Sequence, residues 1–234
     1  MDLTIVIPAY NEARRLPGTL AHMTSWLATK PWASEIIVVD DGSTDDTVQA
    51  VTAAKRPVRL LSHQQNLGKG AAVRRGMLAG TGTWRLLCDA DLSTPIEELD
   101  RLNEYRAAAD IIIGSRRVSG ATIGRRQAWW KVRFGQLGNL LVQILLLPGL
   151  KDTQCGFKLF HQRTMPIFRQ QRVNRWGYDF ELLYLARLSG WRIREVPVRW
   201  DNDADSKVTI SAYLTTLGEI GRILWYRWRG YYRR

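Results

Sequence analysis

Trp84-Arg85-Leu86-Leu87-Cys88-Asp89-Ala90-Asp91-Leu92-Ser93-Thr94-Pro95 joins a short strand-like run to two carboxylates flanking one alanine, and then to a proline suited to a helix's first turn. In open α/β sheets, ligands bind beyond the carboxyl ends of the strands, so acids at such an end mark a candidate site. Their oxygens suit a hard divalent cation, Mg²⁺ or Mn²⁺, of the kind often shared with phosphate. A second acidic strand end lies upstream, where Val38-Val39 runs into Asp40-Asp41-Gly42-Ser43.

The same alternation continues on either side. Residues 3–7 form an apolar run ended by Pro8, consistent with a buried parallel strand, and Asn11 is placed to cap a helix over 12–29. Strands are predicted at 35–39, 58–61, 84–87 and 110–114. Helices are predicted after Ser43 or Thr44, over 68–79, and from Pro95 to near Ala107. Strand–helix alternation with short connections predicts an α/β fold with a doubly wound, mainly parallel sheet. The second half is less regular. A glycine-broken helical stretch over 125–147, a strand over 156–160, a helix over 178–188, an alternating strand over 192–200 containing Pro197, and a closing helix over 209–228 are expected.

Charge divides the 234 residues unevenly. Residues 1–110 hold 12 Lys and Arg against 14 Asp and Glu, whereas residues 111–234 hold 22 against 8. No acid lies between Asp110 and Asp152, a stretch containing Arg116, Arg117, Arg125, Arg126, Lys131, Arg133 and Lys151. A polyanion or anionic surface is the partner this implies for the second half. The tail from Trp225 to Arg234 mixes aromatic rings with arginines, a composition suited to the headgroup level of a bilayer. The longest uncharged run, 134–150, falls short of the roughly 20 apolar residues of a spanning helix, so peripheral membrane contact is expected.

Other chemistries lack their residues. The stretch Asn66-Leu67-Gly68-Lys69-Gly70 does not have P-loop spacing; its glycines shape a helix start and leave Lys69 near a phosphate. His22, His63 and His161 show no zinc spacing, and no G-x-S-x-G elbow is present. Cys88 and Cys155 read as buried thiols. A basic nucleic-acid-binding module is the rival from another class. The long apolar stretch after Arg133, where a continuous basic groove would be needed, argues for no nucleic acid partner.

In order along the chain, Val6-Ile7-Pro8-Ala9-Tyr10-Asn11-Glu12, Val38-Val39-Asp40-Asp41-Gly42-Ser43-Thr44-Asp45 and Asp89-Ala90-Asp91 resemble the nucleotide-sugar half of glycosyltransferase family 2. Gly114-Ser115-Arg116, Asp152-Thr153-Gln154-Cys155-Gly156-Phe157-Lys158 and Ser206-Lys207 resemble its dolichyl- and polyprenyl-phosphate hexosyltransferase branch, with wording most like the dolichyl-phosphate β-glucosyltransferases. The resemblance runs to about Thr209.

It implies a GT-A fold in a single domain, with a nucleotide-sugar half (1–115), an acceptor half (116–208) and an amphipathic, basic and aromatic C-terminal helix (209–234). It also implies inverting, metal-dependent transfer of a hexose, glucose from UDP-glucose in the first instance, to a polyprenyl phosphate on the cytoplasmic face of a membrane. Pro8, Tyr10, Asn11, Glu12, Val38 and Asp40 would cradle the nucleoside, and Asp41 is a further contact or a turn residue. Asp89 and Asp91 would meet ribose and metal, with Ala90 leaving room; Lys69 and Lys207 would face the diphosphate. Arg116, Arg117, Arg125, Arg126 and Lys131 would hold the acceptor phosphate, Arg116 also serving the leaving group. GDP-mannose as donor, or a saccharide hydroxyl as acceptor with Asp179 or Glu181 as base, are the enzyme alternatives. Membrane attachment is direct or supplied by a partner protein.

Overall fold

The computed structural model describes residues 1–54, 57–124, 138–201 and 210–232. The elements of the first half are β1 (Leu3–Ala9), α1 (Leu16–Leu27), β2 (Ser34–Asp40), α2 (Thr47–Thr52), β3 (Val58–Ser62), α3 (Lys69–Ala79), β4 (Trp84–Leu87), α4 (Glu98–Asn103) and β5 (Ile111–Ser115). The second half contributes β6 (Thr122–Ile123), a helix α5 over residues 138–145, β7 (Lys158–His161), a 3₁₀ turn at Gln162–Thr164 and α6 (Pro166–Gln170). It ends with α7 (Tyr178–Leu188), β8 (Ile193–Pro197), β9 (Arg199–Trp200) and α8 (Ile210–Trp228).

Seven strands form one sheet in the order β3-β2-β1-β4-β7-β5-β8. All neighbours are parallel except β7, which runs antiparallel between β4 and β5. Alternate side chains divide the core between the two faces. Val6, Ile37, Val39, Leu87, Ile111 and Ile113 pack with α3, α6 and α7, while Leu3, Ile5, Ile7, Val38, Leu86 and Ile112 pack with α1 and α4. Burial on both faces explains why these strands read as continuous apolar runs instead of alternating ones. The doubly wound expectation therefore holds, with one reversed strand inserted.

Local chemistry shifts several boundaries. Asn11 does not cap a helix: it sits at φ +54°, and its side-chain carbonyl accepts the Thr44 N–H at 2.8 Å. The helix starts four residues beyond the predicted Glu12, at Leu16, with Pro17 in its first turn. Turns on both sides confine α4 to Glu98–Asn103. The predicted strand over 192–200 breaks after Pro197, which carries no N–H for a continuing ladder, and β9 pairs with β6 in a separate ribbon. The N-terminal part of the predicted 125–147 helix lies outside the described residues. Among the described residues, no helix is long and apolar enough to cross a membrane.

Candidate active site

Parallel pairing of β1, β2 and β4, with β5 aligned through the reversed β7, brings their carboxyl ends to one edge, where the strand ends and loops carrying Tyr10, Asn11, Glu12, Asp40, Asp41, Asp89 and Asp91 lie. The loop after β1 interlocks with the loop after β2. Asn11 N–H donates to Ser43 Oγ at 2.9 Å, and Glu12 N–H donates to Thr47 Oγ1 at 2.8 Å. Glu12 also pairs with Arg15 at 3.1 Å. Tyr10 is exposed on the rim, while Pro8 and Val38 are buried within their strands, so neither Pro8 nor Val38 offers an open side chain. Asp40 is buried at the end of β2, its Oδ1 accepting the Ser43 N–H at 3.1 Å.

Asp41 faces inward. Its carboxylate meets His63 Nδ1 at 2.7 Å and accepts the N–H groups of Leu67 at 3.0 Å and Gly68 at 2.8 Å. A buried carboxylate so occupied organises the loop leading into α3, and thereby Lys69, the first residue of that helix. Lys69 Nζ lies 2.6 Å from Asp89 Oδ1 as an ion pair. Burial alone would lower the Lys69 pKa, but the charges of Asp89, Asp179 and Asp91 outweigh it and raise it.

The Asp89-Ala90-Asp91 turn is pinned at three points. Leu92 N–H donates to Asp89 O at 3.3 Å, Ser93 N–H donates to Asp91 Oδ1 at 2.9 Å, and Thr19 of α1 donates to the Ala90 carbonyl at 2.6 Å. Leu92 takes φ +49°, a left-handed conformation that a branched side chain adopts only at a cost of about 1–3 kcal/mol. Asp91 lies exposed at the mouth; partial desolvation and the neighbouring Asp89 carboxylate raise its pKa. Two carboxylates one residue apart at a strand end offer hard oxygen donors to a cation. Behind Asp89 stands Gly156, where any Cβ would overlap the Asp89 carboxylate. Among the described residues no group of three metal-ligating side chains occurs, so a cation here would have two carboxylates and further oxygens from a ligand.

The segment 152–158 closes the opposite wall. Asp152 is buried and grips Arg116 with both oxygens, at 2.7 Å to Nε and 2.9 Å to Nη2, and accepts the Arg116 N–H at 2.9 Å. The guanidinium lies 5.3 Å from the Trp200 ring centroid. Two donors of the expected phosphate ligand are thus already engaged by protein. Arg117 is exposed beside it. Arg125, Arg126, Lys131 and Lys207 lie outside the described residues. Burial alone would raise the Asp152 carboxyl, but Arg116 and its hydrogen bonds lower it to about 2.

Because that pKa is depressed, the pair stabilises the fold above the unfolded aspartate value near pH 4. We expect about 2 kcal/mol to be lost as pH falls from roughly 4 to 2. Denaturant titrations between pH 5 and pH 2.5 test this. Asp152→Asn should flatten the acid limb, and an unchanged slope would remove Arg116–Asp152 as its source.

Lys158 was missed by sequence reasoning as a site residue. It is fully buried at the start of β7, where its ammonium binds Asp179 and donates to the Cys155 carbonyl at 2.6 Å. Asp179, on the first turn of α7, is nine-tenths buried; desolvation raises its pKa against the opposing pull of Lys158 and Lys69. Glu181, the other candidate base, is fully buried, with its carboxylate taken up by protein donors. Its oxygens accept the N–H groups of Arg172 at 3.0 Å and Val173 at 2.9 Å, and the Tyr232 hydroxyl at 2.5 Å. It is a structural acceptor, and the reading of Glu181 as a base is corrected. Cys88 and Cys155 are free, buried thiols, with burial pushing Cys155 up to about 11.

The family described as Glycosyl transferase family 2 matches residues 4–165. A dolichyl-phosphate beta-glucosyltransferase of Trichomonas vaginalis is 40% identical over 228 residues, covering 90% of this chain and 67% of the relative. The enzymes of that name from Dictyostelium discoideum and Homo sapiens are 37% and 32% identical, each over 88% of this chain and covering 68% and 69% of the relative. Among solved structures, Mycobacterium tuberculosis glucosyl-3-phosphoglycerate synthase, crystallised with Mn²⁺, UDP and glucosyl-3-phosphoglycerate, superposes with a TM-score of 0.70 at 18% identity, covering 95% of this chain and 78% of that one. Mannosyl-3-phosphoglycerate synthase from Rubrobacter xylanophilus gives 0.75 at 16% identity, covering 99% and 76%. The sheet with its reversed strand is thus the GT-A arrangement. With acids, lysine and glycine converging on one strand edge and these likenesses spanning most of its length, the chain belongs to glycosyltransferase family 2 and is a glycosyltransferase.

Proposed function

We propose that this protein transfers glucose from UDP-glucose to a dolichyl or other polyprenyl phosphate, with inversion and with a divalent cation, at the cytoplasmic face of a membrane. The observation that carries the reading is the Asp89–Asp91 pair at the end of β4, backed by Gly156 and flanked by Lys69 at 2.6 Å from Asp89. The glucosyltransferase relatives and the Mn²⁺- and UDP-bound neighbour support donor and cation. Asp89 and Asp91 would hold the cation, either Mg²⁺ or Mn²⁺, which when bound neutralises charge gathering on the departing diphosphate. Lys69 adds a fixed positive charge on the same side, and the loop containing Asp40 receives the nucleoside.

A phosphate acceptor is ionised near neutral pH and needs no base, which fits an Asp179 already committed to Lys158. The exposed guanidinium of Arg117 and the basic residues 125–133 would receive that phosphate, while Arg116 is oriented by Asp152. Exposed Leu140, Ile144 and Leu145 on α5, and Leu217, Leu224, Trp225 and Trp228 on α8 with Arg222 and Arg227, support seating on an anionic lipid surface, directly or beside an anchoring partner.

The test is a donor screen with radiolabelled UDP- and GDP-hexoses, with polyprenyl phosphate in one arm and free glycans in the other. Label from UDP-glucose should enter the organic-extractable lipid. Transfer to glycans alone would overturn the acceptor, and preference for GDP-mannose the donor.

A further inference from the structure

Residues 171–177 form a loop held from two sides. Toward the strand edge, Gln171 Nε2 donates to the Gly70 carbonyl at 2.8 Å, and Ala71 N–H donates to the Asn174 carbonyl at 3.2 Å. Lys69 Nζ lies 5.9 Å from the Trp176 ring centroid while pairing with Asp89. The loop therefore packs directly on the helix start that carries the donor-side lysine.

Toward the exterior the same loop is gripped by the C-terminal segment. Gly177 N–H donates to Glu219 Oε2 of α8 at 2.6 Å, and Glu219 is 4% exposed. A Cβ at 177 would meet Glu219 Cβ and Oε2 at 2.9 Å, so the approach admits only glycine. Arg172 lies 4.5 Å from the Tyr231 ring, and its N–H shares Glu181 with the Tyr232 hydroxyl. A carboxylate on the inner face of a helix otherwise packed by Ile220 and Ile223 costs free energy unless its hydrogen bond does something apolar packing cannot. Here it fixes the backbone immediately before Tyr178 and Asp179.

We infer that Glu219 is a positioning residue of the donor site: through Gly177 N–H it sets the 171–177 loop, and so holds Trp176 and Lys69 against Asp89. Glu219 acts through the loop backbone in this inference, not on the donor directly. The inference deepens the donor reading above and rests on it. It makes the outer helix α8 part of the sugar-nucleotide site as well as of the exposed apolar face.

Calorimetric titration of UDP-glucose with Mn²⁺ into the full chain tests it, with thermal unfolding run in parallel. Glu219→Ala is expected to weaken donor binding about tenfold, the loss of a charge-assisted hydrogen bond. Glu219→Gln keeps an acceptor oxygen at the same reach and should recover most of that affinity. Tyr232→Phe loosens the loop at its other clasp, and about threefold weakening is expected. Wild-type affinity in a folded Glu219→Ala chain overturns the inference; if that variant does not fold, wild-type affinity in Glu219→Asp, whose shorter side chain withdraws the acceptor from Gly177 N–H, does so. No binding of UDP-glucose by the unaltered chain would overturn the donor assignment itself.

Discussion

Asp91→Ala is expected to lower glucose transfer by at least about a thousandfold, with the melting temperature little changed, because in the proposed mechanism the side chain supplies electrostatic stabilisation and, being exposed, little packing. Asp91 is exposed, and within the turn its carboxylate accepts the Ser93 N–H at 2.9 Å. Removing it leaves Asp89 alone, already paired with Lys69, to face a cation. Mn²⁺ affinity in the presence of UDP should therefore fall together with turnover, and both are measured on the same preparation. A variant that turns over like the wild type would remove the carboxylate pair from the chemistry.

The second large effect is expected at a residue with no functional group. Gly156→Ala places a methyl where the Asp89 carboxylate lies. The obstructed atoms are the end of a rotatable side chain, so the carboxylate moves and the fold survives. Displacement of a reacting-site group by about 1 Å costs on the order of a hundredfold in rate, and that is the expected loss in kcat/KM. The Lys69–Asp89 pair should break in the same variant, which a crystal structure would show. Wild-type kcat/KM in Gly156→Ala would mean that the Asp89 position is not what the glycine protects.

Both effects trace to segments that the sequence announces differently. Asp-Ala-Asp after an apolar run is readable because a strand end and a carboxylate pair are local features. Gly156 belongs to the motif from Asp152 to Lys158, yet its closeness to Asp89 depends on β7 running antiparallel beside β4, with Leu87 opposite Lys158. No local pattern reveals that neighbour. The same holds for Arg116. Its basic character suggests a phosphate contact, whereas its buried partner Asp152, 36 residues away, turns it into half of a bidentate pair. Asp41 reads as a loop acid and becomes the clamp for residues 63–68.

The C-terminal helix divides in a similar way. Its aromatic and basic composition is legible, and Trp225 and Trp228 are indeed exposed. Tyr232 in the same tail is buried against Glu181, because a hydroxyl can satisfy a carboxylate that the core would otherwise strand.

What the sequence determined by itself is the set of short-range instructions. Apolar runs buried on both faces specify parallel strands, and acids and small residues at their ends specify a binding edge. Charge imbalance leads to the expectation of an anionic counterpart. Only the tertiary structure decided which charges meet: Lys69 with Asp89, Lys158 with Asp179, Arg116 with Asp152, Glu219 with the backbone of Gly177. The physical reason is one of range. Hydrophobic periodicity acts within a single element, but a buried charge is tolerated only beside a specific partner, and in this chain those partners lie 20 to 42 positions apart.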